Sequence, residues 1–204
     1  MMATGLQKCF SEASLNGLTL RNRIIKAGTF EGKTPHGLPS ADLTELHRRI
    51  GEGGTGMTTI AYCAAENNGR LHADMMYMDE YVREPLSQMI ATIKTTGAKV
   101  SGQLSHAGAM TKNSEMEGWV AKSASFGPNL LGMAYGRFLS LGMTRPQLRA
   151  RTQAMARAAA FMRSVGFDAI EIHFGHGYGL SQFMSPITNR RSDEYGGSVA
   201  NRMR

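Results

Sequence analysis

Four short apolar runs, separated by amphipathic helical patterns, narrow the folds open to this 204-residue chain more than anything else in it. The runs are RIIKA around Ile24, GMTTIAY ending at Tyr62, AKVSGQL ending at Leu104 and FDAIEIH ending at His173, each with the length of a buried strand. Between the first two, Ser40 is a good helix N-cap; Leu43, Leu46 and Ile50 follow at spacings of three and four, and Gly51 stops the run. Pro85 suits a first helical turn, Leu86, Met89, Ile90 and Ile93 share one face, and Gly97 is the stop. In the third pattern Thr144 and Gln147 have capping-box spacing and Pro146 lies in the first turn, after which Leu148, Met155, Ala159 and Met162 line a face until Gly166. Strand and helix alternate throughout, which predicts an α/β fold with a parallel sheet and crossover helices.

The first strand-to-helix turn, AGTFEGKTPHGLPS, is not the tight G-x-G-x-x-G turn of a dinucleotide-binding sheet, since its glycines lie far apart. The reading that remains is a (β/α) barrel, whose active sites lie in the loops after the C-terminal ends of the strands. A polar, Gly-rich segment of about forty residues between Leu104 and Thr144 is long enough to be functional or to hold small structure of its own.

Composition excludes several classes. An apolar share of 42% supports a packed core. No run approaches the ~20 apolar residues of a membrane span, and the first residues lack the basic start and apolar stretch of a secretory signal. Cys9 and Cys63 have neither disulfide nor metal spacing and suit a reducing compartment, the cytoplasm or an organelle matrix. The net charge of +7 comes from 23 dispersed basic residues without interleaved aromatics, which points to an anionic cofactor or substrate, not to a nucleic acid.

Polar and ring-bearing groups collect at the four strand ends: Gly28, Thr29 and Phe30, then Tyr62, then Gln103 to His106, then His173, His176 and Tyr178. In the last strand Glu171 and His173 share one face, so His173 is expected to point into the mouth, while Glu171 could equally pair with a nearby Lys or Arg. His173 and His176 could be metal ligands, packed imidazoles or paired donors. No further His, Cys or Asp completes a zinc set nearby, so no metal is expected. As neutral imidazoles, both can present an N–H to one oxygen and stabilise charge developing there. Tyr178, with an ordinary pKa near ~10, can deliver a proton. A donor pair with a proton source suits reduction of a double bond conjugated to a carbonyl, with hydride from a cofactor, since no side chain supplies one.

Four stretches carry a family resemblance: LNGLTLRNRIIKA, GQLSHAG, FDAIEIHFGHGYGLSQFMSP and TNRRSDEYGGSVANRMR. On these the chain resembles the N-terminal part of the old yellow enzyme family of FMN-dependent NADH:flavin oxidoreductases, from about Phe10 to its last residue. The resemblance implies an FMN-binding TIM (β/α)8 barrel in which NAD(P)H reduces the flavin and hydride passes to the activated C=C of an α,β-unsaturated carbonyl compound. It assigns His173 and His176 to the substrate oxygen and Tyr178 to protonation of the adjacent carbon. Gln103 falls to the flavin pyrimidine edge, and the backbone around Gly28, Thr29 and Tyr62 borders the ring. His106 and the Asp193, Tyr195, Gly196, Gly197 and Arg202 group read as supporting structure. The chain departs from the family pattern at Gly28, where many relatives carry Pro. In the simplest register Phe30 takes the place of the Thr or Cys that tunes the flavin.

A complete barrel typically needs ~250 residues and eight strands. Residues 1–204 are therefore expected to form the N-terminal portion of a single FMN-binding domain, about its first four β/α units, with the C-terminal half absent. Such a chain by itself is expected to be inactive and to bind FMN poorly or not at all, with a homo-oligomer as one way to cover its open sheet edges. The alternative is a catalytically silent half-barrel that serves only as an assembly piece; the intact trio of His173, His176 and Tyr178 speaks for the oxidoreductase.

Overall fold

The computed structural model describes residues 5–112, 120–130 and 132–204. After a short helix α1 (Gly5–Cys9), strands β1 (Ala13–Leu15) and β2 (Leu18–Leu20) form a hairpin. Its turn is Asn16–Gly17, both at positive φ, which matches the twist of the two strands it joins. Then come β3 (Ile25–Lys26), α2 (Ala41–Glu52), β4 (Met57–Ala64), α3 (Arg83–Lys94) and β5 (Lys99–Ser105). The long connection that follows holds β6 (Ala121–Ser123), β7 (Gly127–Pro128) and β8 (Leu139–Gly142), which pair as a small separate sheet. The chain continues through α4 (Arg145–Ser164), β9 (Ala169–Ile172), α5 (Gly179–Met184) and α6 (Val199–Arg202).

The main sheet runs β3-β4-β5-β9, all parallel and in chain order. A sheet that never reverses its winding keeps all its crossover helices on one face, as a barrel requires and a doubly wound sheet does not. The core lies between that face and the helices: Ile60, Val100 and Leu104 of the sheet meet Leu86, Ile90 and Ile93 of α3 and Met162 of α4, all fully buried. The outer strands leave Ile25 and Ile172 part-exposed.

The helix starts follow the sequence. Ser40 Oγ accepts from the Leu43 amide at 3.1 Å, and Thr144 and Gln147 exchange both bonds of a capping box. Two details differ. Helix α2 runs through Gly51 to Glu52, because Gly51 is a contact point and not a stop: a Cβ there would lie 2.1 Å from Thr96 Oγ1. The inward face of α4 is turned toward Ala154 and Ala158, which are buried, while Met155 and Ala159 are only partly covered.

Strand β4 passes the expected end at Tyr62 and continues to Ala64. Its pairing with β5 shifts register between Ile60 and Cys63, leaving Ala61 and Tyr62 outside the ladder. Such irregularities re-aim side chains, and here the ring presented is Tyr62.

Candidate active site

The C-terminal ends of β3, β4 and β9 and the loops after them bring six rings together. Tyr62 stacks on Phe30 with centroids 5.6 Å apart and lies parallel to His173 at 6.4 Å. Tyr178 meets Tyr62 at 6.1 Å and His173 at 5.2 Å, both edge-on, and Phe30 meets His72 edge-on at 5.3 Å. The backbone holds this cluster in place. The amide of His173 donates to Leu104 O at 2.9 Å and that of Gly179 to His106 O at 2.8 Å, fastening both sides of the Gly-rich loop to β5. Buried Gln182 donates to Gly177 O at 2.7 Å and accepts from the Ala109 amide at 3.2 Å. His176 takes φ 59°, a left-handed turn that throws its ring back onto His173.

Sequence reasoning expects both imidazoles to face one ligand oxygen. Here they face each other: His176 Nδ1 and His173 Nε2 are 3.1 Å apart, with ring centroids at 5.0 Å. One proton shared between these nitrogens satisfies both. If both facing nitrogens carry hydrogen, the two donors repel, and an oxyanion accepting from both at once relieves the conflict.

Burial, followed by the neighbouring His176, pushes the His173 imidazole below its ordinary range, against a smaller pull from Glu171. The folded state therefore keeps His173 neutral where an unfolded imidazole would protonate, and stability falls as pH drops through about 6.5. A histidine-resolved NMR titration is expected to give His173 a midpoint below that of a free imidazole. A midpoint above it would mean that the ring is held as a cation.

Gln103 is buried at the same rim and donates through Nε2 to Glu171 Oε1 at 2.5 Å. Among the described residues the partner of Glu171 is therefore this amide, and no Lys or Arg pairs with it. A Cβ at Gly28 would stand 2.5 Å from Gln103 Nε2, so a larger residue there would require the Gln103 amide to shift. Thr29 is exposed, with its hydroxyl 3.4 Å from Ala27 O, so of the first-turn residues it is Gly28 that meets Gln103. His106 is buried, its Nδ1 receiving the Gly108 amide at 2.9 Å, and burial beside Arg151 keeps it neutral. Asp193 binds Arg191 and the Tyr195 amide, and Arg202 donates to Met184 O at 2.8 Å; both shape the loop from outside the rim. No cluster of three metal-ligating side chains occurs among the described residues.

The sequence did not single out the buried polar knot under the first turn. Glu31 pairs with Lys26, lies 3.4 Å from His47 Nε2 and accepts from the Ala61 amide at 3.3 Å, while His47 Nδ1 sits 2.7 Å from Thr58 Oγ1. This knot ties the turn carrying Phe30 to the strand end carrying Tyr62. Its only sequence signal is a lysine inside an apolar run with a glutamate five residues on.

The sequence profile of the NADH:flavin oxidoreductase / NADH oxidase family matches residues 9–204. A 4,4'-dithiodibutanoate disulfide reductase of Rhodococcus erythropolis is 42% identical over 194 residues, 95% of this chain and 47% of the relative. An NADPH dehydrogenase of Bacillus licheniformis is 32% identical over 206 residues, 97% of this chain and 57% of the relative. Among solved structures, the old yellow enzyme from Pichia sp. AKU4542 superposes with a TM-score of 0.87 at 21% identity over 96% of this chain and 53% of that one. Morphinone reductase in complex with tetrahydroNAD gives 0.84 at 20% identity over 95% and 56%. The chain spans about half the length of the relatives it matches.

Proposed function

The chain belongs to the NADH:flavin oxidoreductase / NADH oxidase family, and on that premise we propose that residues 1–204 form the first four β/α units of an FMN-binding (β/α)8 barrel that reduces the C=C of α,β-unsaturated carbonyl compounds. The observation that carries this reading is the convergence of His173, His176 and Tyr178 on one notch beside Tyr62 at the strand ends.

The rim suits a flavin. Gln103 has one amide hydrogen engaged by Glu171 and a carbonyl oxygen with no partner among the described residues, and a flat ring with alternating donors and acceptors uses both kinds of group. Gly28 keeps the adjacent backbone low, and Tyr62 offers a ring face. Gln103, Gly28, Tyr62 and the neighbouring backbone of Thr29 would hold FMN, which when bound supplies a hydride drawn from NAD(P)H. The chain's own residues do the rest. His173 and His176 orient the carbonyl by its oxygen and stabilise the negative charge that grows there, and the Tyr178 hydroxyl gives its proton to the carbon beside the carbonyl.

A second reading has support in the 42% identity to the disulfide reductase. In it the accepting bond is S–S, one sulfur takes the hydride equivalent and Tyr178 protonates the departing thiolate. Both readings are tested under anaerobic conditions with the FMN-loaded complete barrel of which residues 1–204 would form the first four units. NADPH is expected to bleach the flavin absorbance, and 2-cyclohexenone to restore it. Restoration by an alkyl disulfide and by no enone would select the second reading, and failure of NADPH to bleach the flavin would overturn both.

A further inference from the structure

We propose that Glu171 is a positioning residue for the flavin: its carboxylate fixes which way the Gln103 amide points, so that the amide oxygen is the group that meets the ring N–H of the pyrimidine edge. The inference rests on the flavin site proposed above and deepens it, because it names a residue that acts there through another.

The groups assigned to the ring and this carboxylate form one row across the sheet. On β4 the register shift leaves Ala61 and Tyr62 between the Ile60–Gly102 and Cys63–Leu104 pairs, so both fall at the level of Gln103 on β5. On the other side of β5, Gln103 pairs with Glu171 of β9. Gly28, just past the end of β3, reaches the same amide. Alternation along β9 puts Glu171 on the face of His173, while Ile170 packs against the core under the helices.

The chemistry of the pair sets the amide. Gln103 Nε2 and Glu171 Oε1 are 2.5 Å apart. A carboxylate oxygen accepts and does not donate, so the amide must turn its NH₂ toward it. The flipped amide would set oxygen against oxygen at that distance. Gly28 also approaches from the nitrogen side, where a Cβ would stand 2.5 Å from Nε2 and 3.4 Å from Oε1. Gln103 is 6% exposed, yet its Oε1 accepts from no described residue and is not sealed from solvent. That oxygen is the open side of the amide. A flavin's pyrimidine edge carries one N–H between two carbonyl oxygens. An amide free to rotate can meet that edge in either sense. Held by Glu171, it meets the N–H as an acceptor, and its second hydrogen is left for the carbonyl alongside. The same carboxylate, one hydrogen bond behind the amide, opposes the negative charge that the ring gains on reduction.

The test uses the complete barrel and FMN itself, with binding read by calorimetry and the flavin midpoint potential by spectroelectrochemistry. Glu171→Gln keeps the shape of the side chain and frees the amide to turn. It should weaken FMN binding roughly two- to tenfold, the range of one neutral hydrogen bond. It should also raise the midpoint potential by about 30 mV, a tenfold change for a two-electron couple. Gln103→Glu sets two carboxylates face to face and should weaken binding further. The exchanged pair, Gln103→Glu with Glu171→Gln, again faces a donor to an acceptor and presents an oxygen to the ring N–H. It should bind FMN roughly tenfold tighter than Gln103→Glu alone. An exchanged pair no better than Gln103→Glu alone, or a Glu171→Gln variant with unchanged affinity and potential, overturns the inference and leaves the flavin site standing. Absence of FMN binding by the unaltered barrel overturns that site and the inference with it.

Discussion

Tyr178→Phe is expected to lower the turnover of an enone by about 10²- to 10⁴-fold, the usual worth of a positioned general acid, while reduction of the flavin by NADPH proceeds at its ordinary rate. The substitution removes one hydroxyl and keeps the ring, so the edge-on contacts with His173 at 5.2 Å and Tyr62 at 6.1 Å survive. Tyr62 is a poor replacement donor. Burial, and then the adjacent Tyr178 hydroxyl, hold its phenol well above the ordinary range, where it gives up a proton reluctantly. Stopped-flow spectroscopy separates the two half-reactions by following flavin absorbance with NADPH alone and then with enone alone. A defect confined to the second phase supports the assignment, and equal loss in both phases points to a damaged site instead of a missing proton.

The double substitution His173→Ala, His176→Ala should weaken binding of a phenol to the FMN-loaded protein by roughly 10²- to 10⁴-fold, since two hydrogen bonds to a charge-bearing oxygen are worth about 1.5–3 kcal/mol each. The single variants should lose less than half of that on a logarithmic scale. The two nitrogens stand 3.1 Å apart, and either alone still reaches the same notch. In the unliganded protein the pair satisfies itself, so ligand binding replaces an existing hydrogen bond. His176→Asn, which retains an N–H at similar reach, should recover part of the affinity. Calorimetry reads the effect directly. Unchanged affinity in the double variant would remove both histidines from the site.

Much of the frame was legible in the sequence because period and punctuation carry it. The four runs became the four parallel strands, Ser40 and Thr144 became caps with the expected partners, and the residues at the strand ends met at one rim. Gly51 misled because a glycine in a helix has two uses, ending it or letting a neighbour approach, and only the Thr96 contact tells them apart. The hairpin at Asn16–Gly17 was written in its turn residues, yet its strands are three residues each, too short for alternation to declare them. The partner of Glu171 followed from strand register, β5 Gln103 standing opposite β9 Glu171, and register depends on pairing that no single segment encodes. The Glu31 knot and the ring contacts from Tyr62 to His72 join residues up to about forty positions apart in the chain, so only the fold assembles them.

The central claim is that the C-terminal strand ends of this chain hold flavin and substrate together. Mapping the ring resonances of His173, His176, Tyr62 and Tyr178 by NMR in the complete barrel, with FMN and then with a phenol added, tests it most directly, because even weak binding moves them. Saturable shifts of Tyr62 with FMN, followed by shifts of both histidines and Tyr178 with the phenol, are the expected result. Shifts confined to the separate cavity lined by Phe126, Leu130 and Ile187, or no shifts at any concentration, would contradict it.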